Sequence, residues 1–89
     1  MISASETFQG RLLELAENAT LARNYGAADV YREAAEVAEE IFVGRSFGEA
    51  VAVLTRAYQQ ESAAMEFEEE RLAWLRAASE VEQLLQDLS

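Results

Sequence analysis

The chain has 89 residues, 51% of them hydrophobic and 27% charged, with no proline, cysteine or histidine. That length supports one small domain, which buries about two-thirds of the surface its unfolded chain exposes, and the composition excludes a disordered or disulfide-built chain. The net charge of −10, with arginine as the only basic residue type, argues against direct contact with nucleic acid or an anionic membrane and expects any electrostatic partner to be basic.

Alanine, leucine, glutamate and arginine dominate, a composition that points to an all-α fold. The longest apolar run, Ala50 to Leu54, falls far short of the ~20 residues of a membrane span. The first residues, "MISASETF", lack the basic and hydrophobic regions of an export signal. A cytoplasmic location is the expectation.

A first helix is predicted over about 4–24. Ser3-Ala-Ser-Glu6 reads as a capping box, in which a hydroxyl serves orphan amides and a glutamate returns to the cap. Phe8, Leu12, Leu15, Ala19 and Ala22 follow at spacings of four and three, one apolar stripe. The helix is expected to stop at Asn24-Tyr25-Gly26, with Gly26 supplying a left-handed cap. A second helix is predicted over about 27–43. Its apolar face is Val30, Ala34, Val37, Ala38, Ile41 and Phe42, and Asp29, Glu33, Glu36 and Glu40 form an acidic row about 140° away. The two helices should make an antiparallel hairpin.

Gly44 ends the second helix, and Ser46-Phe47-Gly48-Glu49 is a second capping box that opens the third. Past Gly48 no glycine or proline interrupts the chain to Leu88. Two architectures follow. Either 47–88 is one rod of roughly 63 Å, giving a helical hairpin followed by a long C-terminal helix, or the chain folds back at the polar stretch Gln59 to Ser62 and makes a four-helix bundle. The absence of breakers favours the rod.

Ala34, Val37, Ala38, Ile41, Phe47, Ala50, Leu54 and Ala57 resemble the spacing of large and small residues in one tetratricopeptide-repeat unit. The resemblance covers about a third of the chain, and no second copy follows at the period of about 34 residues that such repeats keep. It implies a closely packed helical hairpin and no ligand-binding residues.

Val53, Phe67, Trp74, Val81 and Leu88 lie at multiples of seven, broken by Gln60, with Ala50, Ala57, Ala64, Ala78 and Leu85 beside them. This is a heptad seam. Leu54, Tyr58, Met65, Leu72 and Leu75 make a second stripe. In the rod, the first hairpin is too short to cover the C-terminal half, and Phe67, Trp74, Ala78, Val81, Leu85 and Leu88 become the seam of a homodimer.

The acids form a second constellation. Asp29, Glu33, Glu36 and Glu40 make one row and Glu66, Glu68, Glu69 and Glu70 another, and arginines at helical spacing (Arg32 with Glu36, Arg76 with Glu80) neutralise only part of them. Acidic helix faces are commonly solvated surface. Ordered rows with carboxylates about 5–6 Å apart also suit a basic partner, or the groove of a nucleic-acid-binding protein.

Catalysis is not expected. The chain lacks a histidine base and a cysteine nucleophile, and no phosphate loop or calcium loop occurs. Glu33 with Glu36 and Glu66 with Glu69 could hold a hard cation, a weak and commonplace pattern. No cofactor or metal is called for. The expected function is a non-enzymatic protein-interaction domain that regulates or inhibits a partner protein as a homodimer. The alternative is a small acidic inhibitor that mimics nucleic acid, of the kind phages use against host defence.

Overall fold

The computed structural model describes residues 3–88, the side chain of Leu88 excepted. Those residues form α1 (Ala4–Leu21), α2 (Tyr25–Phe42), α3 (Phe47–Ala64) and α4 (Glu68–Leu88). The architecture is all-α, and the chain folds back. The 63 Å rod gives way to a body whose longest extent is 34 Å.

Local chemistry sets most of the boundaries. Ser3 and Ser46 cap α1 and α3, their hydroxyls accepting from the amides of Glu6 at 3.1 Å and Glu49 at 3.4 Å. These are the hydroxyl halves of the two expected capping boxes. α1 stops three residues earlier than predicted, and the left-handed residue is Arg23 (φ 62°) rather than Gly26. The amides of Arg23 and Asn24 reach back to the carbonyls of Thr20 and Ala19 at 3.0 and 2.8 Å, the paired bonds of a Schellman turn. Asn24 then caps α2 through its side-chain oxygen, which accepts from Ala27 N at 3.2 Å. Gly26 is therefore a helical residue inside α2.

The second fold-back falls at Met65, Glu66 and Phe67, several residues beyond the polar stretch expected to turn. Met65 takes an extended backbone (ψ 137°) after α3. The buried Ser62 hydroxyl donates across the turn to the carbonyl of Arg71 at 3.2 Å. The residues after the turn explain why it sits there. Glu68, Glu69 and Glu70 occupy the first turn of α4, where the positive end of the helix dipole favours carboxylates. In a continuous helix, Glu66 would stand three and four residues from Glu69 and Glu70, spacings at which like charges repel.

Two antiparallel hairpins, α1 with α2 and α3 with α4, pack against each other mainly through α2 and α4. The tight pairs are thus not the α2–α3 pair that carries the tetratricopeptide-like spacing. Alanines on α2 (Ala27, Ala28, Ala34, Ala35, Ala38) are buried and let neighbouring helices approach closely. Phe8, Leu12, Leu54, Tyr58, Trp74, Val81 and Leu84 fill the core with almost no exposure. Tyr58 is its hub: it stacks on Phe8 of α1 at 6.4 Å, tilts against Trp74 of α4 at 5.4 Å, and donates its hydroxyl to the Ala34 carbonyl of α2. One side chain of α3 thereby touches all three other helices.

Candidate partner-binding surface

The seam residues separate into two groups. Trp74, Ala78 and Val81 are buried by the chain's own helices, whereas Phe67 is 67% and Leu85 38% exposed. The side chain of Leu88 lies outside the described residues. Counting sevens through Val53, Phe67 and Trp74 assumed one helix, and the break at 65–67 resets the helical phase. α4 turns Ala73, Trp74, Ala77, Ala78, Val81 and Leu84 inward. Phe67 and Leu85 stand at opposite ends of α4 with Leu72 and Leu75 exposed between them, while Trp74, Ala78 and Val81, the middle of the expected seam, are turned into the chain's own core.

The two acidic rows are surface. Asp29, Glu33, Glu36 and Glu40 are exposed along α2, as are Glu66, Glu68 and Glu69 at the start of α4, with Glu70 half-buried. The fold sets the α4 cluster beside the start of α2 at one end of the bundle. A Cβ built at Gly26 would lie 3.6 Å from Glu70 Cγ and 3.9 Å from Glu69 Oε2, so the first turn of α2 abuts the first turn of α4. Gly26 shares the outer side of α2 with Asp29 and Glu33, three and seven residues on. The α4 cluster therefore adjoins the first turn of α2, one turn before the α2 row begins at Asp29, and cluster and row together form an acidic band. From Asp29 to Glu40 alone the band runs roughly 16 Å.

Little within the chain neutralises it. Among the described residues the ion pairs are Arg11–Asp87 at 2.7 Å, Arg32–Asp29 at 3.3 Å and Arg76–Glu80 at 3.1 Å. Arg76 pairs as expected. Arg32 turns to Asp29 and to the Thr20 hydroxyl instead of Glu36, because Thr20 on α1 fixes its guanidinium toward the hairpin turn. Of the eight acids singled out, Asp29 alone is in one of these pairs. Glu33 with Glu36 and Glu66 with Glu69 do not extend into a larger set: among the described residues no three acids converge as a metal site.

Exposed apolar side chains border the band. Leu21 (76%), Tyr25 (61%) and Phe67 (67%) belong to the two turns at the same end of the bundle. Leu21 and Tyr25 escaped sequence reading because they fall at the helix boundaries that were drawn late. Their signal was the Asn24 cap, which ends one helix and starts the next.

The perturbed ionisations lie away from the band. Burial raises the Tyr58 phenol far above its ordinary range. Burial likewise raises Tyr31, opposed by the charge of Arg76 and reinforced by Glu80. Hydrogen bonds from Arg11 and Gln83 hold the Asp87 carboxyl below its usual value.

Comparison with protein-family models, with curated proteins and with solved structures finds no match to this chain. Among the described residues no helix is long and apolar enough to cross a membrane.

Proposed function

We propose that the chain is a non-enzymatic interaction module that grips a basic surface of a partner protein through its acidic band and thereby regulates or inhibits that partner. The observation that carries the reading is the approach of Glu69 and Glu70 to Gly26, which sets the α4 cluster beside the start of the α2 row. Among the described residues, seven of its eight carboxylates lie outside the ion pairs, so a cationic partner can claim them without breaking those bonds. Leu21, Tyr25 and Phe67 beside the band supply the apolar contact that an interface between proteins adds to charge.

The nucleic-acid-mimic reading draws on the same carboxylates, held on rigid helices at regular spacing. The two readings part on the apolar neighbours, since mimicry needs only the charge. Binding partners captured with the parent chain should be re-measured against two variants. Converting the α2 row and the α4 cluster to glutamine should weaken binding by about tenfold or more and flatten its salt dependence. Replacing Tyr25 and Phe67 by serine should weaken it comparably for a protein interface and leave it unchanged for a mimic. If the glutamine variant binds as tightly as the parent, the carboxylates serve solubility and both readings fail.

A further inference from the structure

A second surface lies on the outer side of the α1–α2 hairpin. Two concavities, of about 290 and about 220 Å³, both count Leu13 and Arg32 among their walls, so they run together as one groove. Gln9 Nε2 donates across it to the Ala35 carbonyl at 3.4 Å, and Arg32 Nη2 donates to Thr20 Oγ1 at 3.2 Å. These two bridges tie the hairpin's halves together on either side of Leu13. Leu13 is 53% exposed, and Leu21, at the upper lip, is 76% exposed. The rim is acidic: Glu17 on one side, Glu36 and Glu39 on the other, all exposed. Arg32, the cation among the described residues that line the groove, is already engaged by Asp29 and Thr20.

We infer that this groove docks a basic amphipathic helix of the partner protein, with apolar side chains two turns apart on Leu13 and Leu21 and arginine or lysine on both flanks. The spacing matches. Leu13 and Leu21 are eight residues apart on α1, about 12 Å, and two turns of a docked helix rise about 11 Å. A helix laid between two helices with its apolar side down is an established recognition mode. The charge of the rim excludes the other occupants. A second copy of this chain would bring its own net charge of −10 against Glu17, Glu36 and Glu39, and nucleic acid or an anionic bilayer would be repelled likewise.

This inference rests on the basic-partner reading above and adds the place and shape of the contact. The test is titration of the ¹⁵N-labelled chain with a synthetic helical peptide of about 18 residues, its leucines seven apart and its flanks arginine. The expected amide shifts centre on Leu13, Ala16, Thr20, Leu21 and Ala35. Leu13→Ser, with its fold checked by circular dichroism, should weaken the peptide by about tenfold or more, and Glu17→Gln with Glu39→Gln should do the same. A peptide of identical composition, scrambled to break the leucine spacing, should bind about tenfold more weakly than the ordered one. Shifts centred on Phe67 and Glu68 to Glu70, or equal binding of the scrambled peptide, overturn the groove and leave the acidic band as the contact. No shift with either peptide at low salt overturns both.

Discussion

Arg23 occupies a backbone region that an L side chain enters at a cost of roughly 1–2 kcal/mol, and it does so because the Schellman turn after α1 needs a left-handed residue there. Gly26, three residues on, sits in ordinary helix, and a methyl group there would make only normal contacts, the nearest at 3.6 Å. Arg23→Gly should therefore stabilise the protein by about 1 kcal/mol, and Gly26→Ala by about 0.5 kcal/mol. Urea denaturation decides. If Gly26 were the left-handed cap, both signs would reverse. This residue-level exchange was not legible in advance: a glycine beside an asparagine advertises a turn, whereas nothing about an arginine does. The exposure of Asp29, Glu33, Glu36 and Glu40, by contrast, followed directly from their angle to the apolar stripe.

At the scale of the elements, the caps at Ser3 and Ser46 and the first hairpin could be read from residue types alone, because a hydroxyl followed by a glutamate three residues later has one common use. The α3–α4 turn could not be read by searching for glycine and proline. Its sign was electrostatic: a run of glutamates suits the start of a helix and disfavours the middle of one. Missing that break carried Trp74 and Val81 to the wrong surface, since heptad counting holds only along an unbroken helix. The bond from Ser62 Oγ to the Arg71 carbonyl spans the turn at a buried site. Ser62→Ala should cost about 1 kcal/mol, measured by thermal or urea unfolding. An unchanged midpoint would mean that the turn is held by packing and helix electrostatics alone.

For the whole molecule, the burial of Trp74, Ala78 and Val81 within the chain and the net charge of −10 favour a monomer. Sedimentation equilibrium at micromolar concentration should return the 9.9 kDa of one chain. A mass near twice that would bring Phe67, Leu72, Leu75 and Leu85 back as an interface. The pH profile has an unusual shape because histidine, cysteine and lysine are all absent, leaving the interval between the carboxylates and the phenols without side chains of ordinary intermediate pKa. On the alkaline side, Tyr58 keeps its proton in the folded chain well above the value of 10.0 that it has when exposed. The unfolded state then holds fewer protons, so stability that is fully present below about pH 10 falls as pH rises past it, by roughly 1.4 kcal/mol per unit. Tyr31, also raised, acts in the same direction. Tyr58→Phe should flatten this limb, and stability measured between pH 9 and 11 in the two proteins is the check. A limb of equal slope in both would remove Tyr58 as its origin.

The contact between Tyr58 and Trp74 has an optical consequence. Trp74 is the chain's single tryptophan. It is 1% exposed, and its ring centre lies 5.4 Å from that of a tyrosine that touches the remaining helices. Light absorbed by Tyr58 passes efficiently to the indole at this separation, and the indole emits from an apolar site only while the two hairpins are closed on each other. Transfer from Tyr58 on α3 to Trp74 on α4 thus gauges the closure of that one hairpin, and a partner that pries the two hairpins apart would announce itself by a red shift of the indole emission without any added label.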